Sequence, residues 1–297
     1  MITINGTEIT ELKYNGVEIE KAICNGVVVF EERKKNPGDI SIKTSADSIK
    51  LRVTTKDGSP CEVWNGGKKI AELQSDNKEN IAVQNNAEEI IIKGYDIQEL
   101  YCSYNQLTTL NASGCTSLQW LYCSNNQLTT LNVSGLTSLE VLSCYYNQLT
   151  ALNVSGLTSL QWLDCSDNQL TTLNASGCTS LQGLYCFRNQ LTALDVSGCT
   201  SLQKLECSSN QLTALNVSGL TSLQHLDCYN NKLSAEVFKK IFEDLPERKE
   251  KDGRVLLYKD GDSNYKDFTQ PPELAAAFKA AKAKGWKFYK NNWSTEI

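Results

Sequence analysis

From Leu100 onward, apolar and polar positions return in a fixed order. The block LYCSNNQLTTLNVSGLTSLEV at 121–141 comes round six times without a gap, starting at Leu100, Leu121, Leu142, Leu163, Leu184 and Leu205, and a seventh start at Leu226 runs into a different segment. A fixed period of 21 residues predicts a solenoid, in which each unit contacts only its neighbours. Successive side chains of a strand point to opposite faces, so Leu121 and Cys123 are predicted to point inward, and Trp120, Tyr122 and Ser124 outward. Past Asn126, the apolar residues Leu128, Leu131, Val133 and Leu136 recur every two or three positions. That spacing is too tight for a full helix and predicts an extended or turn-like return path. One such coil buries too little apolar surface to offset the entropy of ordering its backbone, so the coils must stack, with their strands forming one parallel ladder.

Stacking aligns Asn105, Asn126, Asn147, Asn168, Asn189, Asn210 and Asn231 in a column. Their amides are predicted to satisfy buried turn backbone of adjacent coils, a structural role. Of the twelve cysteines, Cys102, Cys123, Cys144, Cys165, Cys186, Cys207 and Cys228 share the inward column. Three more, Cys115, Cys178 and Cys199, stand where other coils have Leu136, Leu157 and Leu220. A cysteine that exchanges with leucine acts as a small hydrophobe, so free, buried thiols are expected. A ladder of thiols pointing the same way offers no tetrahedral metal cluster and no disulfide geometry.

Leu118, Leu121, Cys123, Asn126 and Leu128 spell L-x-x-L-x-C-x-x-N-x-L. These residues resemble the bacterial leucine-rich repeats of the short, 21-residue class, in which cysteine often replaces the second strand leucine. The resemblance covers about 100–233. It implies a curved, right-handed leucine-rich repeat solenoid with parallel β-strands on its concave face and a thin return path. In most such proteins that face binds another macromolecule.

The flanks divide into smaller pieces. Residues 1–31 carry Asn5-Gly6, Asn15-Gly16 and Asn25-Gly26, each between β-forming residues. Asn-Gly suits the type I′ turn, whose two central residues need positive φ, so a small β-hairpin module is predicted. The string KYNGVEIEKAICNGVVVF resembles a segment near the ends of tail and other structural proteins of phages and prophages of Gram-positive bacteria, where it serves as a joining module. Residues 32–38, ERKKNPG, read as a linker. From 39 to 97 the runs ISIK (40–43), SIKLRVTT (48–55), CEVW (61–64), KKIAEL (68–73) and EEIIIK (88–93) predict a β-rich N-terminal cap. The last run also reads as a degenerate first coil, because Ile97 precedes Leu100 as Leu118 precedes Leu121. The repeats proper span 98–233, and 234–297 read as a helix–strand–helix–strand C-terminal cap: SAEVFKKIFEDL, VLLY, PELAAAFKAAKAKG and WKFY.

Twelve of the 21 columns are identical in all six coils, five alternate between two similar residues, and four vary freely. The free columns are the position before the strand leucine and the first, third and fourth after it, on the outward face of the strand or at its end. They hold the candidate ligand-binding residues Trp120, Tyr122, Tyr145, Tyr146, Trp162, Tyr185 and Phe187, with Asp164, Asp167 and Arg188 to set polarity. Exposed aromatics supply large contact area with a polar edge, which binding surfaces favour. The structural alternative is that they stack along the ladder and stiffen it.

A net charge of −5, with few basic residues in the repeats, argues against a nucleic-acid partner. The N-terminal MITINGTEIT has no secretion-signal pattern, and no apolar run is long enough for a membrane span. As written, the chain is expected in the cytoplasm or a phage particle, or at the cell surface if a signal has been removed. His225 is the only histidine. No phosphate loop, metal motif or nucleophile elbow is present, so no catalytic residue, cofactor or metal is expected. The expected function is non-enzymatic recognition or adhesion towards a protein or glycan; the alternative is a structural or attachment part of a phage tail. Nothing in the sequence sets an oligomeric state.

Overall fold

The computed structural model describes residues 38–83, 88–248, 250 and 252–297, together with the backbone of short strands between residues 3 and 31. The chain divides into two units, Met1–Pro37 and Gly38–Ile297. In the first unit, Thr3–Ile4 pairs with Thr7–Glu8, Lys13–Tyr14 with Val17–Glu18, and Lys21–Cys24 with Val27–Glu31, all antiparallel. Each pair brackets one Asn-Gly. The Asn-Gly turns themselves, and 32–37 of the expected linker, lie outside the described residues.

The second unit is a parallel-strand solenoid. Strands Ile97–Tyr101, Trp120–Tyr122, Val141–Ser143, Trp162–Asp164, Gly183–Tyr185, Lys204–Glu206 and His225–Asp227 form a parallel ladder in which Leu100, Leu121, Leu142, Leu163, Leu184, Leu205 and Leu226 stay in register. Register is strict because a slip of one residue would turn every strand leucine out of the core. Those leucines and the cysteines two positions on are all fully buried. The return path is extended, as expected: Leu152–Asn153, Thr172–Asn174 and Ala193–Asp195 form a second, three-stranded parallel sheet.

Between strand and return path runs the asparagine ladder. The Asn168 amide donates to the carbonyls of Cys144 (3.0 Å) and Cys165 (3.2 Å), and its Oδ1 accepts from Leu149 N–H (2.9 Å). Asn189 repeats the pattern one coil on, to Cys165 and Cys186 and from Leu170, so each bridged cysteine carbonyl takes two amide donors. The column runs past the repeats. Asn264 of the C-terminal cap donates to Cys228 O (3.0 Å) and accepts from Leu233 N–H (3.0 Å). At the other end, Asn105 turns to Lys50 of the N-terminal cap, donating to its carbonyl (2.9 Å) and accepting from its N–H (2.6 Å).

The cysteines of the inward column do act as small core side chains, with no disulfide among the described residues. Burial pushes the Cys102 thiol up to about 12 and holds Cys123, Cys144 and Cys165 well above the ordinary thiol range. The three return-path cysteines add a role that exchange with leucine hid. Cys178 and Cys199 donate S–H to Val154 O and Ala175 O of the preceding coil (both 3.1 Å), and Cys115 donates to Gly38 O (2.9 Å).

Each cap continues the coil. Ser48–Thr55 joins the ladder antiparallel to Ile97–Tyr101, with Lys78–Ala82 outside it, while Ile40–Thr44 pairs antiparallel with the first return path, Leu107–Asn111. Cys61–Asn65, Lys68–Leu73 and Ile90–Lys93 complete the latter sheet. The run at 88–93 is therefore not a degenerate coil: Ile90–Lys93 lies between Ile40–Thr44 and Cys61–Asn65, antiparallel to both, and Ile97–Tyr101 is itself the first ladder strand. Strand Lys78–Ala82 escaped sequence reading because its apolar content is only Ile81 and Ala82.

At the far end, Ser234 caps helix Ala235–Asp244, whose Phe238, Ile241 and Phe242 are buried. Strands Gly253–Tyr258 and Trp286–Lys290 extend the ladder in parallel. Helix Pro272–Ala283 packs beside the first helix, and Phe238, Phe242, Phe268, Phe278 and Phe288 close the core. No helix among the described residues is long and apolar enough to cross a membrane.

Two measurements check this architecture. Asn168→Ala takes a donor from three carbonyls, of Cys144, Cys165 and Ser166, and leaves the Leu149 N–H without an acceptor, and should lower stability in urea unfolding by about 2–5 kcal/mol. The thiols of the inward column should label only after denaturation, and Cys165 reacting rapidly in the native protein would contradict its placement.

Candidate ligand-binding face

In-register stacking sets the outward residues of neighbouring coils side by side at about 4.8 Å per strand. One row runs Trp120, Val141, Trp162, Gly183, Lys204, His225, and the next runs Tyr122, Ser143, Asp164, Tyr185, Glu206, Asp227. These rows sort into three neighbourhoods.

At the cap end, Tyr101 and Tyr122 stack with centroids 4.4 Å apart and planes within 9°. Arg52, from the cap, lies 3.6 Å over Tyr101 and pairs with Asp76 (3.2 Å) and Glu99 (3.7 Å). Burial pushes the Tyr101 hydroxyl up to about 12. Tyr122 is thus half-buried in a stack with Tyr101.

Around and beyond this stack the aromatics open out. Trp120, Tyr145, Tyr185 and Phe187 are half-buried, whereas Tyr104 is 73% exposed, Tyr146 57% and Trp162 41%. The Tyr104 hydroxyl, hydrogen-bonded to Tyr145, and then burial raise the Tyr145 hydroxyl above its ordinary range. Trp162 and Tyr185 lie near-parallel, 20° apart with centroids at 6.2 Å. Lys204 Nζ sits 4.9 Å from the Tyr185 ring and 2.7 Å from Glu206. Asp164 accepts from Ser166 N–H (3.1 Å) and Oγ (2.6 Å), and burial raises its carboxyl. Asp167 pairs with the exposed Arg188 at 3.5 Å.

The fourth free column is not part of the strand face. Tyr104, Asn125, Tyr146, Asp167, Arg188, Ser209 and Asn230 all adopt left-handed backbone, with φ between 49° and 62°. Asn and Asp tolerate this conformation, but bulkier side chains strain it. Tyr104, Tyr146 and Arg188 therefore occupy the rim of the face at a local cost.

At the far end lies a polar cluster that sequence reading passed over, apart from noting His225. His225 packs against Trp293 of the C-terminal segment, with ring centroids 4.2 Å apart and planes tilted by 42°, and stands 4.0 Å from Glu206. Burial, then Lys204 and Arg254, lowers its pKa to about 4. Asp227 is 8% exposed, and its Oδ1 has no hydrogen-bond partner among the described residues. Burial, then Glu206, raises it to about 7 against the weaker pull of the Tyr229 backbone N–H and of Lys259 and Lys204. Asp227 stands in the same column as Asp164, one start beyond the sixth coil, which is the signal that could have found it. Tyr104 was discoverable in the same way, from the column of Tyr146. Among the described residues no group of three or more His, Cys, Asp or Glu is placed to hold a metal ion.

A family model described as Leucine Rich repeats (2 copies) matches residues 116–157, 158–198 and 200–240. A search of curated proteins gives no match. Among solved structures, the chain is similar to the functional domain of InlJ from Listeria monocytogenes, described as including a cysteine ladder, at 30% identity over 58% of this chain and 41% of that one, with a TM-score of 0.43. It is similar to YopM from Yersinia enterocolitica WA-314 at 26% identity, over 56% and 38% of the two chains, with a TM-score of 0.46. It is also similar to a leucine-rich repeat protein of Leptospira interrogans at 24% identity, over 66% and 48%, with a TM-score of 0.46. The chain spans less than half the length of each of these proteins.

The buried acid makes a prediction about stability. In the folded state Asp227 keeps its proton to a higher pH than in the unfolded chain, so stability falls as pH rises from about 4 to about 7 and the full cost is present above that. His225, with its depressed pKa, acts in the opposite sense below about 6.5, so a comparison of variants is needed to isolate the acid. Asp227→Asn should be more stable than the parent by about 2–4 kcal/mol near pH 8 and should lose that advantage near pH 4, as read from urea midpoints across the range.

Proposed function

We propose, from the premise that this chain is a leucine-rich repeat protein, that its strand face and rim recognise a protein or glycan through the exposed aromatics, without chemistry of their own. Leucine-rich repeats are in general protein-interaction modules. The observation that carries the reading is the placement of Tyr104, Tyr146 and Trp162. They are the most exposed large apolar side chains among the described residues, and all three stand on one side of the solenoid. Two of the three, Tyr104 and Tyr146, sit in left-handed turns where asparagine would cost less. A local rule broken repeatedly in one place supports reading that place as a functional surface.

Tyr145, Tyr185 and Phe187 contribute from between the coils, and Asp164, Asp167 and Arg188 set polarity in this reading. Trp120 borders the face, and Tyr122 supports it from the stack with Tyr101. The joining role of the N-terminal hairpin module, and with it the phage-tail alternative, stands on the sequence of 1–31 alone.

The test is a screen of surface proteins and glycans with the parent and a Trp120→Ala, Tyr146→Ala, Trp162→Ala triple variant. Binding should be lost while thermal unfolding stays cooperative; a variant that binds as well as the parent would place the site elsewhere. Tyr146→Gly alone should weaken binding yet raise stability by about 1 kcal/mol, because the strain goes with the side chain.

A further inference from the structure

Within this face, one arrangement points to the chemistry of the ligand. Gly183 faces outward, in register with Trp162 on the neighbouring strand. A Cβ placed on Gly183 would overlap Cε3 and Cζ3 of Trp162 and stand 3.2 Å from Cε2 of Tyr185. The indole therefore lies across the strand of the next coil, in the space a side chain would fill, instead of standing out from the sheet. One glycine in a row otherwise made of Trp, Val, Lys and His lets the ring lie down beside Tyr185.

The surroundings of this platform are polar but nearly balanced in charge. Asp167 is paired with Arg188, and Lys204 with Glu206. Lys204 also takes the cation position beside Tyr185, so a ligand cation would have to displace it. Asp164 has one oxygen tied to Ser166 and a second free to accept. Arg188 is exposed and brings several N–H donors. A recumbent ring beside Tyr185, with an acceptor two residues along the same strand and the Asp167–Arg188 and Lys204–Glu206 charges paired, suits a ligand that is apolar on one face and hydroxylated at its rim.

We propose that Trp162, laid flat by Gly183, is the stacking platform for a neutral pyranose residue of a glycan, with Asp164 meeting its hydroxyls. The C–H face of a pyranose packs on an aromatic ring, and its equatorial hydroxyls reach outward to planar polar side chains. This rests on the reading of the face as a recognition surface and narrows its ligand from protein or glycan to glycan.

The test uses the full chain against immobilised neutral oligosaccharides of hexose and N-acetylhexosamine, with sialylated and sulfated glycans as charged controls. Gly183 has no left-handed φ, so Gly183→Ala keeps the strand, displaces the indole and shifts the Tyr185 ring by a few tenths of an ångström. Neutral glycans should bind the parent, and Gly183→Ala and Trp162→Ala should each weaken that binding by on the order of tenfold. Trp162→Phe should retain part of it, and thermal unfolding of each variant shows that the fold is kept. Binding of charged glycans alone, no glycan binding at all, or full binding by Gly183→Ala would each overturn the proposal. If a protein ligand is found instead and the triple variant loses it, the glycan assignment fails while the recognition surface stands.

Discussion

A coil of 21 residues must turn sharply between strand and return path, and each turn leaves buried carbonyls and N–H groups that no strand ladder reaches. The asparagine column resolves this. From Asn126 to Asn231 each amide donates to two cysteine carbonyls in consecutive coils and accepts from the N–H that opens the return path, so the same side chain closes its own turn and joins its neighbour. Unpaired buried polar groups cost about as much as the amides return, which is why the column continues past the repeats to Asn264. The solenoid ends only where a cap supplies the missing partner: Lys50 at one end, Asn264 at the other.

With the interior set by leucine, cysteine and asparagine, the outward positions are free of the fold's demands, and their variation follows from that. Where they neighbour a cap they are drawn into packing, as Tyr101 and Tyr122 are by Arg52, and His225 by Trp293. Elsewhere aromatic side chains remain open, at the rim in Tyr104 and Tyr146 and on the strand in Trp162. The recumbent Trp162 stands beside the strained turn column, while the buried Asp227 at the far end carries an electrostatic cost that Lys259 of the neighbouring cap relieves only in part.

The caps show how a one-dimensional array is closed. The N-terminal cap separates into two sheets, one continuing the ladder and one continuing the first return path, so both sides of the first coil are covered by antiparallel partners. The C-terminal cap instead imitates further coils, adding two parallel strands and replacing the return path with helices that cover the last leucines.

The sequence by itself determined the period, the inward columns, the asparagine ladder and the two helices of the C-terminal cap, because each is written in local spacing that stacking merely repeats. It also located the rows in which the candidate residues lie. What it could not express were relations between residues a full coil or more apart. Whether Trp162 stands or lies depends on Gly183 in the next coil, and whether Tyr122 is exposed depends on Tyr101 and on Arg52 of the cap. The run at 88–93 carries the apolar pattern of a strand in either sheet, and only pairing with Ile40–Thr44 and Cys61–Asn65 assigned it to the cap. Left-handed backbone at Tyr104, Tyr146 and Arg188 was hidden for the same reason: those residue types predict nothing of the kind, and the stacked turns impose it on them.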